Sequence, residues 1–176
     1  MVHEFLPASP LPETLARHAA DSLGSPDVAF DVLRRYLDEC EIASKRVAQY
    51  TLAFVISYGE RRIECMAGIS SEPPLLVFYA YYDQVVIDER RAALGEFVLR
   101  ANHDLPVGSF ELLPDEGPLR YKSSLAIGAL EMSTVLVCSV LEPALTLFLQ
   151  HIPALDAVLC FEDPAAVVAA IRTEHG

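Results

Sequence analysis

Phe97–Leu125, FVLRANHDLPVGSFELLPDEGPLRYKSSL, decides the fold, because it reads as a complete helix–turn–strand–turn–strand unit. Leu94, Phe97, Val98, Ala101 and Leu105 recur at i, i+3, i+4, i+7 and i+11. That spacing is the apolar stripe of a helix over residues 88–103. Arg90, Arg91, Glu96 and Arg100 fall on its wet side, so truncating Arg90 is expected to cost little. Leu105-Pro106-Val107-Gly108 stops the helix, since proline disfavours helical geometry in the residue before it and glycine reaches backbone angles closed to others. Two short strands follow, at 107–112 and 118–125, hinged on the acidic turn Pro114-Asp115-Glu116-Gly117-Pro118.

Upstream, the hydrophobic period is two. Tyr50, Leu52, Phe54, Ile56 and Tyr58 alternate with Thr51, Ala53, Val55 and Ser57, which turns the first set toward a core. After the Gly59-Glu60 turn, Ile63, Cys65, Ala67 and Ile69 complete a hairpin, and Leu75–Val86 reads as a third, largely buried strand beyond Pro73-Pro74. Ser25-Pro26-Asp27 opens a helix to Leu37 with a capping side chain, a proline at the first helical position and a carboxylate at the positive helix end. Residues 1–24 form a proline-bearing arm with a short helix over 13–20, ahead of a single domain over 25–176.

Downstream, Met132–Leu149 is almost wholly apolar, but Glu142-Pro143 interrupts it and no basic flank orients it. It therefore reads as a core or subunit-interface helix kinked or divided at Pro143, not as a membrane span. Asp163-Pro164 starts a closing helix over 165–172. These elements make an α+β domain: a mostly antiparallel five-stranded sheet with helices packed on one face, in the order α-β-β-β-α-β-β-α.

Composition limits what such a domain does. At 176 residues and 52% hydrophobic the chain buries its own core, and a formal charge of -12 argues against nucleic acid and anionic membrane surfaces as partners. Cys40, Cys65, Cys138 and Cys160 form no C-x-x-C pair, and Met1–Pro12 lacks a secretory pattern, so reduced thiols and a cytoplasmic location are expected.

Groups that converge on chemistry are few. His103-Asp104, at a helix end, offers an imidazole beside a carboxylate, yet a histidine there also suits the helix dipole. The remaining histidines show no metal-binding spacing, Ser123-Ser124 lacks a nucleophile elbow, and no glycine-rich phosphate loop is present. No catalytic residue, metal or cofactor is assigned. Glu111, Asp115 and Glu116 crowd one turn, where they could raise one another's pKa or hold calcium, but a solvated turn between strands explains them more simply. Phe78 and Tyr82 alternate with Tyr79 and Tyr81, so this strand carries aromatics on both faces: either it is sandwiched between layers, or one face meets a partner.

The wording L-x-x-A-N-x-x-L-P-x-G-x-F-E-L, an acidic turn, then L-x-Y-x-S-S-L, resembles the YbjN family of bacterial sensory-transduction regulators and, more distantly, type III secretion chaperones. The resemblance implies a chaperone-like fold that is commonly dimeric and binds extended segments of client proteins. It points to a non-enzymatic, homodimeric protein-interaction or regulatory module with an unidentified client. Phe78, Tyr79, Tyr81, Tyr82 and Leu145 are the candidate contact residues. The alternative is a small-ligand binder or enzyme with one pocket near His103, Asp104 and the Tyr79–Tyr82 strand.

Overall fold

The computed structural model describes residues 25–113, 117–128 and 131–175. The expected arm and its short helix, and the tip of the acidic turn with Asp115 and Glu116, lie outside them. Helix α1 (Pro26–Glu39) leads into strands β1 (Ser44–Ala48), β2 (Thr51–Tyr58), β3 (Arg61–Ser71) and β4 (Pro74–Tyr81). Helix α2 (Asp88–Asp104), strands β5 (Ser109–Leu112) and β6 (Leu119–Ala126), and helices α3 (Thr134–Leu159) and α4 (Pro164–His175) complete the chain. The six strands form one sheet in the order β1-β2-β3-β4-β6-β5, every neighbouring pair antiparallel.

The α+β class and the antiparallel sheet are as expected, with one more strand. Strand β1 escapes a reading by hydrophobic period because all five of its residues are exposed. It is held by backbone pairing to β2 along one edge, where no side chain needs burying. Strand β4 also ends at Tyr81, short of the expected Val86, since Tyr82 to Ile87 run out as the connection to α2. Nor does Pro143 divide the apolar helix: α3 runs unbroken for 26 residues through Pro143 and Pro153. Both prolines occupy exposed positions. A carbonyl freed from the helical ladder on that side reaches water, which lowers the cost of the missing N–H.

By length and composition α3 would cross a membrane, yet ten of its side chains are buried, among them Val137, Leu141, Ala144, Phe148 and Leu155. They meet the inward residues of the sheet. Phe110 lies at the centre, with ring centroids 6.2 Å from Phe97, 5.0 Å from Tyr121 and 6.2 Å from Phe148. One aromatic cluster thus ties α2, β5, β6 and α3 together.

The polar wording of the 97–125 segment serves that cluster. Asn102 Nδ2 donates to the Phe110 carbonyl at 3.0 Å, and the Phe110 amide donates to Asn102 Oδ1 at 2.7 Å, so the side chain acts as a strand neighbour to β5. The Tyr121 hydroxyl donates to the Val107 carbonyl. Gly108 has φ +70° and lies so close to β6 that a Cβ there would stand 2.6 Å from the Lys122 carbonyl oxygen. Only glycine satisfies both the angle and the approach.

Arg90 and Arg91 are half-buried, not on a wet side. Arg90 Nε donates to the Val158 carbonyl at 2.9 Å, and its guanidinium lies 4.5 Å from the Phe161 ring centre. It caps the negative end of α3. Arg91 donates to the carbonyls of Gly117 and Leu113, fastening both arms of the β5–β6 hairpin.

Candidate interaction surface

The described helices pack against one face of the sheet, and register fixes which side chains line the other. Lys45 pairs with Ala53, Ala53 with Met66, Met66 with Tyr79, Tyr79 with Lys122 and Lys122 with Ser109. This row crosses all six strands. It carries at its two flanks the only lysines in the chain, Lys45 and Lys122. In the next row Val55 stands opposite Glu64, and Tyr81 opposite Arg120, which in turn faces Glu111.

The side chains of these rows hold one another in place. The Arg120 guanidinium stacks 4.3 Å from the Tyr79 ring centre while its Nε donates to Glu111 Oε2 at 2.7 Å. Burial is the largest single influence and works against the Arg120 charge, but the hydrogen bonds to Glu111 and Tyr81 and the Glu111 charge together outweigh it, and the guanidinium is held more firmly protonated than usual. Lys122 Nζ lies 3.6 Å from Glu111 Oε1. The Tyr79 and Tyr81 rings are 6.4 Å apart, and the Tyr81 hydroxyl reaches the Met66 sulfur at 3.5 Å. A half-exposed platform of tyrosine, methionine and arginine results, the residue types enriched where proteins meet. Beside it a trough of about 1240 Å³ runs along β1, β2 and β3 to the end of β4, with Val55, Arg62, Glu64, Met66 and Tyr81 in its wall.

The five candidate contact residues do not share one surface. Tyr79 and Tyr81 belong to the platform, whereas Phe78 is 1% and Tyr82 4% exposed on the helical side. Phe78 stacks with Phe54 in the core. The Tyr82 hydroxyl donates to Asp156 of α3, whose other oxygen takes Arg61 at 2.6 Å. Burial and then that hydrogen bond raise the Tyr82 hydroxyl well above its ordinary range, which keeps it protonated. Leu145, half-buried on α3, packs toward the core. Alternation correctly divides the aromatics into two sets, but the helical layer covers one of them.

His103, Asp104 and the tyrosine strand do not form one pocket either. Asp104 lines a separate cleft of about 190 Å³ on the helical side, with Leu105, His151, Val168 and Arg172. Arg172 Nε donates to Asp104 Oδ2 at 2.6 Å, and chiefly through this bond holds the carboxyl below the usual range. The carboxylate is thus engaged by α4 rather than aligned on the exposed His103. His151, Nδ1 at 2.7 Å from the Leu147 carbonyl, is buried against Phe110. Glu111, expected in a solvated turn, is bound into the β5–β6 pair by Arg120 and Lys122. Among the described residues no three His, Cys, Asp or Glu side chains gather to hold a metal ion.

The model of the YbjN family, described as "Putative bacterial sensory transduction regulator", matches residues 29–157, which take in most of α1, all six strands, α2 and nearly all of α3. No curated protein matches the chain.

Proposed function

The chain belongs to the YbjN family, and from that premise we propose that it is a non-enzymatic regulatory module that works by protein contact, docking a second copy of itself on the open face of its sheet. The observation that carries the reading is the single-sided helical cover, which among the described residues leaves the Met66–Tyr79–Lys122 row and its neighbours without a helix above them.

Area supports a second copy. Strands β2, β4 and β6 are eight residues long and β3 eleven. At ~3.3 Å per residue and ~4.8 Å between strands, these four alone offer a panel of roughly 500 Å², so face-to-face docking buries about 1,000 Å² in total. Charge supports it as well. In a chain of net charge -12 this face mixes Lys45, Arg62, Arg120 and Lys122 with Glu64, Glu111 and the trough-lining Glu41 and Asp83, so cations of one copy can meet carboxylates of the other and the repulsion felt elsewhere is reduced. Such a two-fold contact is the commonest arrangement for homo-oligomers.

Hydroxyl-radical footprinting of the wild type against Tyr81→Asp tests the surface. The substitution places an unpaired charge in the platform. Met66 and Tyr79 are expected to be labelled several-fold more in the variant, while Tyr58, exposed on the helical side of β2, changes little. Equal labelling of Met66 and Tyr79 in the two proteins contradicts the reading.

A further inference from the structure

The two edges of the sheet differ. At β5 the Asn102 side chain takes both the amide and the carbonyl of Phe110, so a helix residue fills the place of a further strand. Strand β1 has no such cover among the described residues, and all five of its residues are exposed. Tyr50 gives its carbonyl to the Ile69 amide of β3, so by alternation Ala53 turns its backbone toward β1 and pairs with Lys45. Ser44 and Arg46 then point their amides and carbonyls away from the sheet, where no other described group takes them. Such an edge is a template for another strand.

The open edge is also a basic one. Strand β1 carries Lys45 and Arg46 and no carboxylate, in a chain of net charge -12. Arg46 turns its guanidinium to the Ala48 and Gln49 carbonyls and to the Phe30 ring, 4.7 Å from the ring centre, rather than to an acid. Of the acids just ahead of the strand, Glu39 is engaged by Arg35, and Glu41 is exposed. A second copy fits this edge poorly. Full antiparallel pairing of β1 with itself sets Arg46 opposite Arg46, and like charges directly opposite one another destabilise a strand pair. The charges that refuse a second copy favour an acidic strand. We propose that β1 takes an extended acidic segment of a partner protein as a seventh strand. The segment's backbone bonds the outward groups of Ser44 and Arg46, and its carboxylates meet Lys45 on the open-face side and Arg46 on the helical side. This contact uses the edge of the sheet, not the platform around Tyr79 and Tyr81.

The experiment titrates the full chain into a fluorescein-labelled hexapeptide with two adjacent central glutamates flanked by valine and threonine, read by anisotropy at low salt. A second peptide has lysines in place of the glutamates. The acidic peptide should bind roughly tenfold more tightly, as two favourable cross-strand charge pairs replace two unfavourable ones. Methylating alternate backbone nitrogens of the acidic peptide should abolish binding, because those amides then cannot pair with the edge. Amide hydrogen exchange on the complex should slow several-fold at Ser44 and Arg46 and stay unchanged at Phe110, which Asn102 already holds. Reversing the strand's charges with Lys45→Glu and Arg46→Glu should invert the preference between the two peptides. The wild-type preference should persist in Tyr81→Asp, which separates this edge from the open-face contact. Equal affinity for the two peptides, unchanged exchange at Ser44 and Arg46, or loss of binding in Tyr81→Asp overturns the proposal.

Discussion

The two faces of the sheet are written by alternate residues of the same strands, yet they end in different environments. Along β4, Leu76, Phe78 and Ala80 are at most 1% exposed beneath the helices, while Leu75, Val77, Tyr79 and Tyr81 between them stay half-open. The strand is almost as apolar on one side as on the other. Sequence alternation sorts side chains into faces, but the supply of helix decides which face becomes the core. Here α1, α2 and α3 all pack on the same side, and among the described residues no helix covers the second apolar face.

This contrast is broken most easily on the covered side. Phe97 is fully buried in the cluster around Phe110, so Phe97→Ala is expected to lower unfolding free energy by about 3–5 kcal/mol. Urea titration reads it as a large fall in midpoint, and an unchanged midpoint shows that the helical face is not the core. Gly108→Ala comes next, since the new Cβ meets both an unfavourable φ and the Lys122 carbonyl. A loss of about 2 kcal/mol is expected by the same titration. Tyr81→Asp sharpens the comparison from the open side. Where Tyr81 makes no core contact, folding stability measured on the monomer should move by no more than ~0.5 kcal/mol, and a loss as large as that of Phe97→Ala would show the two faces to be equivalent.

Much of the fold is legible in the residues themselves. The stripe from Leu94 to Ala101 is buried as its spacing requires, and the period-two segments become β2 and β3. The resemblance motif is legible for a physical reason as well: Asn102, Gly108, Phe110 and Tyr121 clasp helix to hairpin, so the motif reports architecture rather than chemistry. What escapes reading depends on neighbours distant in sequence. Strand β1 has no buried residue to give it a period. Arg90 looks solvated on its own helix, but its long stem reaches the end of α3.

The open face is divided in the same way. Tyr79 and Tyr81 announce it through alternation, but Lys45 and Lys122 join their row only once four strand registers are known. The scarcity of lysine in the chain was the one signal available, and scarcity alone carries no position.

Sedimentation equilibrium at micromolar concentration tests the docking claim most directly. The account predicts a wild-type mass of twice the 19.3 kDa chain, unaffected by moderate salt, and a Tyr81→Asp mass of one chain with folding intact. A wild-type mass that stays near 19.3 kDa at every concentration, or a dimer that survives Tyr81→Asp, contradicts it.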